Sequence, residues 1–416
     1  MIIVIADDLT GANDTGVQFK KYGLKTIVKV DYHNISKEDI LKYDAISINA
    51  DSRILDTESS YRRVFEIAKK FNNMDNKLIY KKTDSLLRGN PGSELEAVMD
   101  AIGADIALVA PSYPANGRVV KDGHSSLYED GNLFEESRFS ILDIMRKEMT
   151  RQVENIPLEI VRQNIDEFSS YINSRISEGG IVFVVDAIDD EDLRRISKVR
   201  KMIDSKVVLC GSAGLAQQLV DKRFKHSIEI NMNKEGIILI ISGTRNICTL
   251  SQINNILDLD RSELIKISTE LIIKGQEKYV VDDAINSVSR VISEGNDIVV
   301  ISLDNIFESD SKVSLKESCE GIDESQKIVK TLGNIVEEIY SRFNIKAIIA
   351  TGGDTAMQIC KSINAEGIEL LDEIAPGIPI GEIKGGTADG TIIVTKSGGF
   401  GAEDIFTKII DYIEDI

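Results

Sequence analysis

Short apolar runs alternate with stretches of helical spacing along most of the chain. The runs are rich in Ile and Val and show little polar alternation, which is typical of strands covered on both faces of a parallel sheet. Between them, Glu58–Phe71 and Ser93–Ile102 carry apolar residues at helical intervals. The alternation predicts a parallel sheet wrapped by helices. The predicted strands are Ile2–Ala6, Thr26–Val30, Ala45–Asn49, Leu78–Lys81, Ile106–Ala110, Ile181–Asp186, Val207–Cys210, Ile237–Ile241, Ile298–Ile301, Ala347–Ala350 and Ile392–Thr395.

The pattern breaks around Lys225–Gly236, and a new apolar run starts at Ile237. A chain of 416 residues also exceeds one ordinary hydrophobic core. We therefore predict an α/β protein of two domains, residues 1–232 and 233–416, each a mostly parallel sheet flanked by helices. Ligands are expected in crevices at the carboxyl ends of the strands and between the domains.

Composition narrows the classes of partner. The formal charge is -19, with 49 basic against 68 acidic residues, which argues against nucleic acid and against an anionic membrane surface. We expect a cytoplasmic protein, because no charged-then-apolar leader precedes Ile2 and no apolar run approaches a membrane span. The four cysteines are widely separated and form no C-x-x-C pair, so reduced thiols are expected rather than a zinc site.

The first predicted strand ends in two adjacent carboxylates, Asp7 and Asp8, and helical spacing is clear from Val17 to Tyr22. This strand, polar turn and helix place ligand-binding groups at the carboxyl edge of an open sheet. Asp is also a good helix N-cap, so capping alone explains one of the two carboxylates. Capping does not explain the second carboxylate.

Charged residues also follow other predicted strands of the first half. Because parallel strands end at one edge of the sheet, these side chains are expected to converge on one crevice. The alternative is that they are unrelated, solvated loop charges. The set is Asp7, Asp8, Asp51, Arg53, Lys82, Asp84, Arg88 and Arg118.

Glycine turns dominate the strand ends of the second half. Ser242-Gly243-Thr244, Thr351–Thr355 and Lys396–Gly401 each follow a predicted strand. Such turns let backbone amides approach phosphate closely, although a glycine pair is often only a turn. The G-x-x-G at Gly211–Gly214 is weaker, and helix packing explains it as well. The P-loop, H-E-x-x-H and G-x-S-x-G motifs are absent.

Five blocks resemble the four-carbon acid sugar kinases, in the order found in that family. They are ADDLTGANDTG (Ala6–Gly16), KKTDSLLRGNPGSEL (Lys81–Leu95), APSYPANGR (Ala110–Arg118), TGGDTA (Thr351–Ala356) and KSGGFG (Lys396–Gly401). The resemblance implies an N-terminal domain for a sugar acid, a C-terminal domain for ATP, and phosphorylation of threonate, erythronate or their oxo forms. Where the family usually has Gly-Ser-x-Ser, this chain has Gly243-Thr244-Arg245-Asn246, which removes one hydroxyl from the expected nucleotide turn.

The resemblance also implies roles for individual residues. Those expected to hold the sugar acid are Asp7, Asp8, Arg53, Lys82, Asp84 and Arg88. Those expected near ATP are Ser242, Thr244, Gly352, Gly353, Asp354, Thr355, Gly398 and Gly399.

The chemistry of the residue types agrees with this assignment. Carboxylates accept hydrogen bonds from sugar hydroxyls, and Arg or Lys pairs with the acid group. Phosphoryl transfer needs positioning, Mg²⁺ and a carboxylate at the attacking hydroxyl. We predict Asp7 or Asp8 for that carboxylate, with Asp354 as the second candidate, although Asp354 would also suit Mg²⁺ through water. The sequence identifies no metal ligands, and it is compatible with a homodimer.

Two other classes of function remain open at this level. A non-catalytic sugar-acid sensor would need the charged crevice but no phosphate-binding turns. A nicotinamide-dependent hydroxy-acid oxidoreductase would need G-x-G-x-x-G after a strand with an acidic residue about 20 positions later, and the sequence has no such pattern.

Overall fold

The computed structural model of the chain describes residues 1–74, 77–129, 132–176, 180–220, 235–307 and 319–416. Its internal contacts divide it into an N-terminal unit, Met1–His226, and a C-terminal unit, Ser227–Ile416. The predicted boundary between residues 232 and 233 lies outside the described residues and stays a prediction.

The described part of the N-terminal unit contains eleven strands and nine α-helices. The strands are β1 Ile2–Ala6, β2 Thr26–Lys29, β3 Ala45–Asn49, β4 Leu78–Lys82, β5 Ile106–Ala110, β6 Arg118–Lys121, β7 His124–Glu129, β8 Asn132–Ser140, β9 Gln152–Ile156, β10 Ile181–Val185 and β11 Val207–Gly211. The helices are α1 Leu9–Lys20, α2 Lys37–Lys42, α3 Thr57–Lys69, α4 Pro91–Ile102, α5 Ile141–Glu148, α6 Leu158–Val161, α7 Ile165–Asn173, α8 Asp190–Val199 and α9 Ala213–Gln217.

The main sheet of this unit is parallel, with the order β2-β3-β1-β4-β11-β5-β10-β9. Strand β1 lies between β3 and β4, and Ala6 is in register with Asn49 on one side and Lys82 on the other. The chain runs from β1 out to β2, returns to β3 beside β1, and then crosses to β4 on the other side of β1, so the strand order reverses at β1. Ligands bind at such a reversal in open α/β sheets, which places the expected site just after Ala6.

Apolar strand residues pack on both faces of this sheet. Ile3 and Ile5 contribute to one core cluster and Val4 to the other, and all three are fully buried. Burial on both faces explains why β1 reads as an unbroken apolar run. The rigid centre of the sheet therefore carries the turn at Asp7 and Asp8.

The C-terminal unit has its own sheet and helices. Its strands are β12 Ile237–Ser242, β13 Ser262–Ile267, β14 Ile298–Leu303, β15 Ile345–Thr351, β16 Gly367–Ala375, β17 Ile378–Lys384 and β18 Ile392–Lys396. Its helices are α10 Ile247–Ile256, α11 Thr269–Ile273, α12 Glu277–Ser293, α13 Cys319–Tyr340, α14 Gly353–Ser362 and α15 Ile405–Asp415.

The strands of the C-terminal unit run in the order β13-β14-β12-β15-β18-β17-β16. The first five are parallel, and β17 and β16 are antiparallel additions. Strand β12 lies between β14 and β15, and Ser242 is in register with Ser302 and Thr351. The strand order therefore reverses at β12, as it does at β1 in the other unit.

The predicted fold class is confirmed, and the differences lie in particular elements. The sequence pattern missed the antiparallel sheet of β6, β7 and β8 and the hairpin of β16 and β17. Helix α1 begins at Leu9 rather than near Val17, because Asp8 caps it and Leu9 and Ala12 are already buried. Of the cysteines with described side chains, Cys210 and Cys360 are buried and Cys248 is partly buried, and all three are free. No helix in the described ranges is long and apolar enough to cross a membrane.

Candidate active site

Asp8 begins helix α1. Its backbone is extended (φ -140°, ψ 164°), and the Gly11 N–H donates to Asp8 Oδ1 over 2.7 Å. A Cβ atom at Gly11 would lie 2.6 Å from that oxygen and 3.1 Å from Lys82 Nζ, so a larger residue here would displace the capping side chain. Asp8 is thus the N-cap that the sequence allowed for, and its second oxygen remains for other partners.

Arg53 joins the two carboxylates. Its Nε donates to Asp7 Oδ2 and its terminal nitrogen to Asp8 Oδ2, each over 2.6 Å. The Arg53 N–H also donates to the Asp7 carbonyl over 3.3 Å, as does the Ser52 N–H over 3.0 Å. The segment after β3 is therefore folded directly against the end of β1, and the guanidinium is fixed at that position.

A buried ion pair holds the segment that carries Arg53 in place. Lys81 Nζ lies 2.8 Å from Glu94, and both side chains are almost fully buried. Glu94 also accepts hydrogen bonds from Ser52 Oγ (2.6 Å) and Ser60 Oγ (2.8 Å). This pair links β4 and α4 to the segment that carries Arg53. Sequence reasoning missed Glu94, because the predicted helix Ser93–Ile102 also carries Glu96 and Asp100 and nothing in the pattern distinguishes the three carboxylates.

The neighbouring strand end carries Lys82, Asp84 and Arg88. Lys82 is buried, and its positive charge acts on the carboxyls of Asp7, Asp8 and Asp84. Arg88 donates to both oxygens of Asp84, over 2.7 and 2.9 Å, while its own side chain is 61% exposed. Arg88 therefore already forms a bidentate pair within the protein.

Arg118 is the remaining cation at this edge, and its partners differ from those of Arg53 and Arg88. One terminal nitrogen of its guanidinium is screened from solvent and has no hydrogen-bond partner among the described residues. Burial lowers the pKa of Arg118, and the negative charge of Asp84 opposes that effect. A shielded guanidinium nitrogen without an acceptor is costly, so this position suits an anion.

The two aspartates at the end of β1 have different electrostatic environments. Burial raises the pKa of Asp7, but the charges of Arg53, Lys81 and Lys82 outweigh it and hold the pKa below its usual value. Burial and the negative charge of Asp7 raise the pKa of Asp8, against the charges of Arg53 and Lys82. Asp7 therefore stays ionised, and its Oδ1 is buried without a hydrogen-bond partner among the described residues.

Seven of the eight charged side chains expected to converge are thus linked by hydrogen bonds or by their mutual charges. We call these seven the charged cluster. They are Asp7, Asp8, Arg53, Lys82, Asp84, Arg88 and Arg118. Asp51, the eighth, has a left-handed backbone (φ 48°) that turns the chain after β3.

In the C-terminal unit, α14 follows β15 without a capping side chain. Gly352 is the N-cap, with φ 102°, a conformation that favours glycine. The amides of the first turn, from Gly353 to Thr355, therefore have no side-chain acceptor at the cap. Asp354 in that turn is exposed. An uncapped helix start of this kind is suited to phosphate.

The turn after β12 lies against this helix start. A Cβ atom at Gly243 would collide with Thr355 Oγ1, and one at Gly352 would lie 3.9 Å from Thr244 Cβ. Asn246, which replaces the hydroxyl residue expected there, instead caps α10, because its Oδ1 accepts from the Cys248 N–H over 2.9 Å. The departure from the expected motif therefore has a structural role.

The segment after β18 is held in place by buried polar side chains. Lys396 Nζ donates to the carbonyls of Ser397 (3.0 Å) and Phe400 (3.1 Å), and Thr249 Oγ1 donates to the Gly398 carbonyl (2.8 Å). A Cβ atom at Gly398 would collide with Thr244, so this glycine allows two turns to meet. The turns that contain the eight residues expected near ATP thus come together in one unit. Burial lowers the pKa of Lys396 to about 8, against the opposing influence of Cys248.

Two family models match the chain, one for each unit. A model described as "Sugar-binding N-terminal domain" matches residues 2–219, and one described as "Nucleotide-binding C-terminal domain" matches residues 239–406. The matches cover the charged cluster and the glycine turns respectively.

Three enzymes are similar over nearly their whole length. The D-threonate kinase of Salmonella typhimurium is 27% identical, with 100% of this chain and 99% of that protein covered. The D-erythronate kinase of Heliobacterium modesticaldum is 26% identical (99% and 97% covered). The 3-oxo-tetronate kinase of Pseudomonas savastanoi pv. phaseolicola is 23% identical (98% and 96% covered).

Two solved structures share the fold. A Haemophilus influenzae protein aligns with a TM-score of 0.71 at 18% identity, covering 99% of this chain and 100% of that chain. A protein of Salmonella typhimurium LT2 aligns with a TM-score of 0.77 at 19% identity, with 98% of each chain covered. These alignments extend the agreement from sequence to the path of the backbone.

Proposed function

The chain belongs to the four-carbon acid sugar kinase family, and we propose that it phosphorylates a hydroxyl of a tetronate held by the charged cluster. That it is a kinase acting on four-carbon sugar acids follows from its relatives and from the two family models, and these imply the use of ATP. The sensor and the nicotinamide-dependent oxidoreductase have no support in those comparisons. The observation that carries our proposal is the pair of carboxylates fixed by Arg53 at the end of β1.

Asp7 is the residue that receives the reacting hydroxyl. Its Oδ2 is taken by Arg53, whereas its Oδ1 is buried and has no partner among the described residues. Both oxygens of Asp8 are already engaged, by Gly11 and by Arg53. The substrate oxygen forms its new bond to the γ-phosphorus as the bond to ADP breaks, and its proton passes to Asp7 Oδ1. In a loose transition state the main task of this carboxylate is to orient the hydroxyl.

Arg118 takes the carboxylate of the sugar acid, and Lys82, whose charge like that of Arg118 interacts with Asp84, supplies a second cation. Arg53 and Arg88 are committed to aspartates in the protein, whereas Arg118 has a guanidinium nitrogen without an acceptor in the described chain. A guanidinium is well matched to a carboxylate, which it can bind with two parallel hydrogen bonds. Asp84 and Arg88 border this position and bind further substrate hydroxyls.

The acid is threonate, erythronate or an oxo form of these. Each of them carries a hydroxyl that can donate a hydrogen bond to Asp7 Oδ1, so this contact is common to all of them. The substrate panel below ranks them.

The nucleotide is held by the turns of the C-terminal unit. The amides at Gly353–Thr355 bind phosphate at the uncapped start of α14, and the turns at Ser242–Thr244 and Gly398–Gly399 lie beside it. Within the described residues, no group of three or more His, Cys, Asp or Glu side chains is placed to hold a metal. Mg²⁺ binds mainly through phosphates, water and one or two carboxylates, and Asp354 with the Thr244 and Thr355 hydroxyls fits that pattern. When bound, the ion offsets phosphate charge.

A coupled assay of ADP release tests the proposal. The panel contains the D and L forms of threonate and erythronate, 3-oxo-tetronate, and a neutral tetritol of the same length. We expect little ATP hydrolysis without acid, turnover with at least one of the four-carbon acids, and poor use of the tetritol. Acid binding without ADP release would favour the sensor, and acid-dependent NADH formation without ATP would favour the oxidoreductase. Sedimentation of the same protein tests the homodimer, which stays a prediction.

A further inference from the structure

Three buried hydroxyls stand side by side at neighbouring strand ends of the C-terminal unit. Ser242 on β12 is in register with Ser302 on β14 and with Thr351 on β15. Residues in register on adjacent parallel strands point to the same face of the sheet. All three residues are fully buried. We call them the hydroxyl row, and Ser242 is the member that was expected near ATP from the sequence.

Each of these hydroxyl oxygens is screened from solvent and has no hydrogen-bond partner among the described residues. A buried hydroxyl without a partner is costly, and native structures contain few of them. Other buried hydroxyls of this unit are satisfied: Thr331 Oγ1 donates to the Lys327 carbonyl over 2.9 Å, and Thr249 Oγ1 to Gly398 over 2.8 Å. Among the buried hydroxyls in the described part of this unit, those that lack a partner are the three of the row.

The surroundings of the row indicate an anion. Thr351 leads directly into Gly352 and the uncapped N-terminus of α14, which carries partial positive charge. Next along the sheet, Thr351 is in register with Lys396, a buried cation. The chain after Ser242 and Thr351 continues as glycine turns, at Gly243 and Gly352.

We propose that the hydroxyl row binds the phosphate chain of the nucleotide, with Ser302, Ser242 and Thr351 each donating to a phosphate oxygen. The inference rests on the proposed binding of ATP by this unit and specifies where the phosphates lie. A phosphate chain offers several acceptor oxygens along its length, which suits three donors on adjacent strands. The base and ribose of the nucleotide make no contact with the row.

Titration calorimetry of the full chain with ATP, ADP and adenosine, without sugar acid, tests this proposal on Ser302→Ala and on the nearly isosteric Thr351→Val. We expect each variant to bind ATP about ten-fold more weakly, as for the loss of one hydrogen bond to a charged group. The affinity for ADP is expected to fall less than the affinity for ATP. The affinity for adenosine is expected to stay as in the wild type.

Urea unfolding provides the second readout, because a structural hydroxyl gives the opposite result. Removing a hydroxyl that lacks a partner is expected to leave the unfolding midpoint unchanged or raised. In the control Thr269→Val, a hydroxyl that donates to Asp304 Oδ1 over 2.8 Å is lost, so the midpoint is expected to fall while ATP affinity is unchanged.

Two results would overturn the inference. One is a lowered midpoint for Ser302→Ala and Thr351→Val with unchanged ATP affinity, which would make the row structural. The other is an equal loss of affinity for adenosine and ATP, which would indicate a general disturbance of the site. If the wild-type chain binds no ATP at all, the proposed function fails first, and that outcome is distinct from both.

Discussion

The first strand of each unit has the same place in its sheet but ends in opposite chemistry. Strand β1 lies between β3 and β4, and β12 lies between β14 and β15. In the N-terminal unit the residues in register at this edge are Asn49, Ala6 and Lys82, followed by the carboxylates of Asp7 and Asp8. In the C-terminal unit the corresponding residues are the three hydroxyls of the row, followed by glycine turns.

The helix starts at these edges differ in the same sense. Asp8 fills the N-terminus of α1 with a carboxylate, so an anion is excluded there and the second carboxylate oxygen is turned towards Arg53. Gly352 leaves the N-terminus of α14 without a capping side chain, so its amides can bind phosphate. The shared architecture thus supplies an edge where ligands bind, and the side chain at the N-cap selects the charge of the group that binds beside it.

The largest expected effect is a loss of kcat when Asp7 is changed. In Asp7→Asn the shape is kept but the proton acceptor is lost, so kcat is expected to fall roughly 10²–10⁴-fold. In the matched variant Asp8→Asn the amide oxygen can still cap α1, and we expect mainly a higher KM for the sugar acid. Steady-state kinetics with saturating ATP separates the two. If both variants keep the wild-type kcat, the carboxylate at the reacting hydroxyl lies elsewhere and Asp354 becomes the leading candidate.

The second prediction concerns the stability of the N-terminal unit, whose sheet edge depends on the buried pair of Lys81 and Glu94. Glu94→Gln leaves the Lys81 ammonium buried without its counter-charge, and breaking such a pair costs roughly 3–5 kcal/mol in the free energy of unfolding. Adding Lys81→Met removes the stranded charge and is expected to recover much of that loss. Urea unfolding of both variants checks this, with Glu58→Gln, from an exposed pair with Arg62, as a control that should change little. Equal losses for the single and double variants would contradict the assignment.

Recognition of the acid group should depend on the uncommitted guanidinium. Arg118→Ala is expected to raise the KM for the sugar acid about 10–100-fold, the value of one or two charge-assisted hydrogen bonds, with ATP binding near normal. Arg118→Lys should recover only part of the loss. Arg88→Ala, which breaks a pair with Asp84, should have a smaller effect and keep the preference for acid over tetritol. The reverse ranking would assign the carboxylate to Arg88.

The smallest expected effect is a pH dependence of ATP binding by the C-terminal unit. Burial lowers the pKa of Lys396 to about 8, so this amine is charged at neutral pH and loses its proton as the pH rises through 8. Because ATP is anionic and favours the protonated form, its affinity should fall above pH 8, by at most about ten-fold per pH unit.

The stability of the fold should respond with the opposite sign. The folded state binds fewer protons than the unfolded chain between pH 8 and the ordinary lysine pKa, so the contribution of Lys396 to the free energy of unfolding rises across that window. Calorimetry and urea unfolding at pH 7 and 9, with Lys396→Gln as the non-titrating control, measure both signs. An ATP affinity that is equally pH-dependent in Lys396→Gln would rule out this residue as the source.

Much of the architecture follows from the sequence alone. Apolar runs such as Ile106–Ala110 and Ala45–Asn49 matched strands β5 and β3 to the residue, because strands buried on both faces have little freedom in composition. The position of Asp7 and Asp8 after such a run was enough to locate them at the carboxyl edge. The antiparallel strands β6 to β8 were missed because their segments mix charged and apolar residues without a clean period.

Only the tertiary structure decided how the charges are paired. Arg53, Arg88 and Arg118 are equivalent in a sequence pattern, yet two are bound to aspartates and one has a nitrogen without an acceptor in the described chain. The same holds for Ser302, which is an ordinary strand residue until the register places it beside Ser242. Local patterns report burial and backbone preference, whereas hydrogen-bond partners come from residues far apart in sequence. Which polar groups remain available for a ligand is therefore fixed only when the strands have paired.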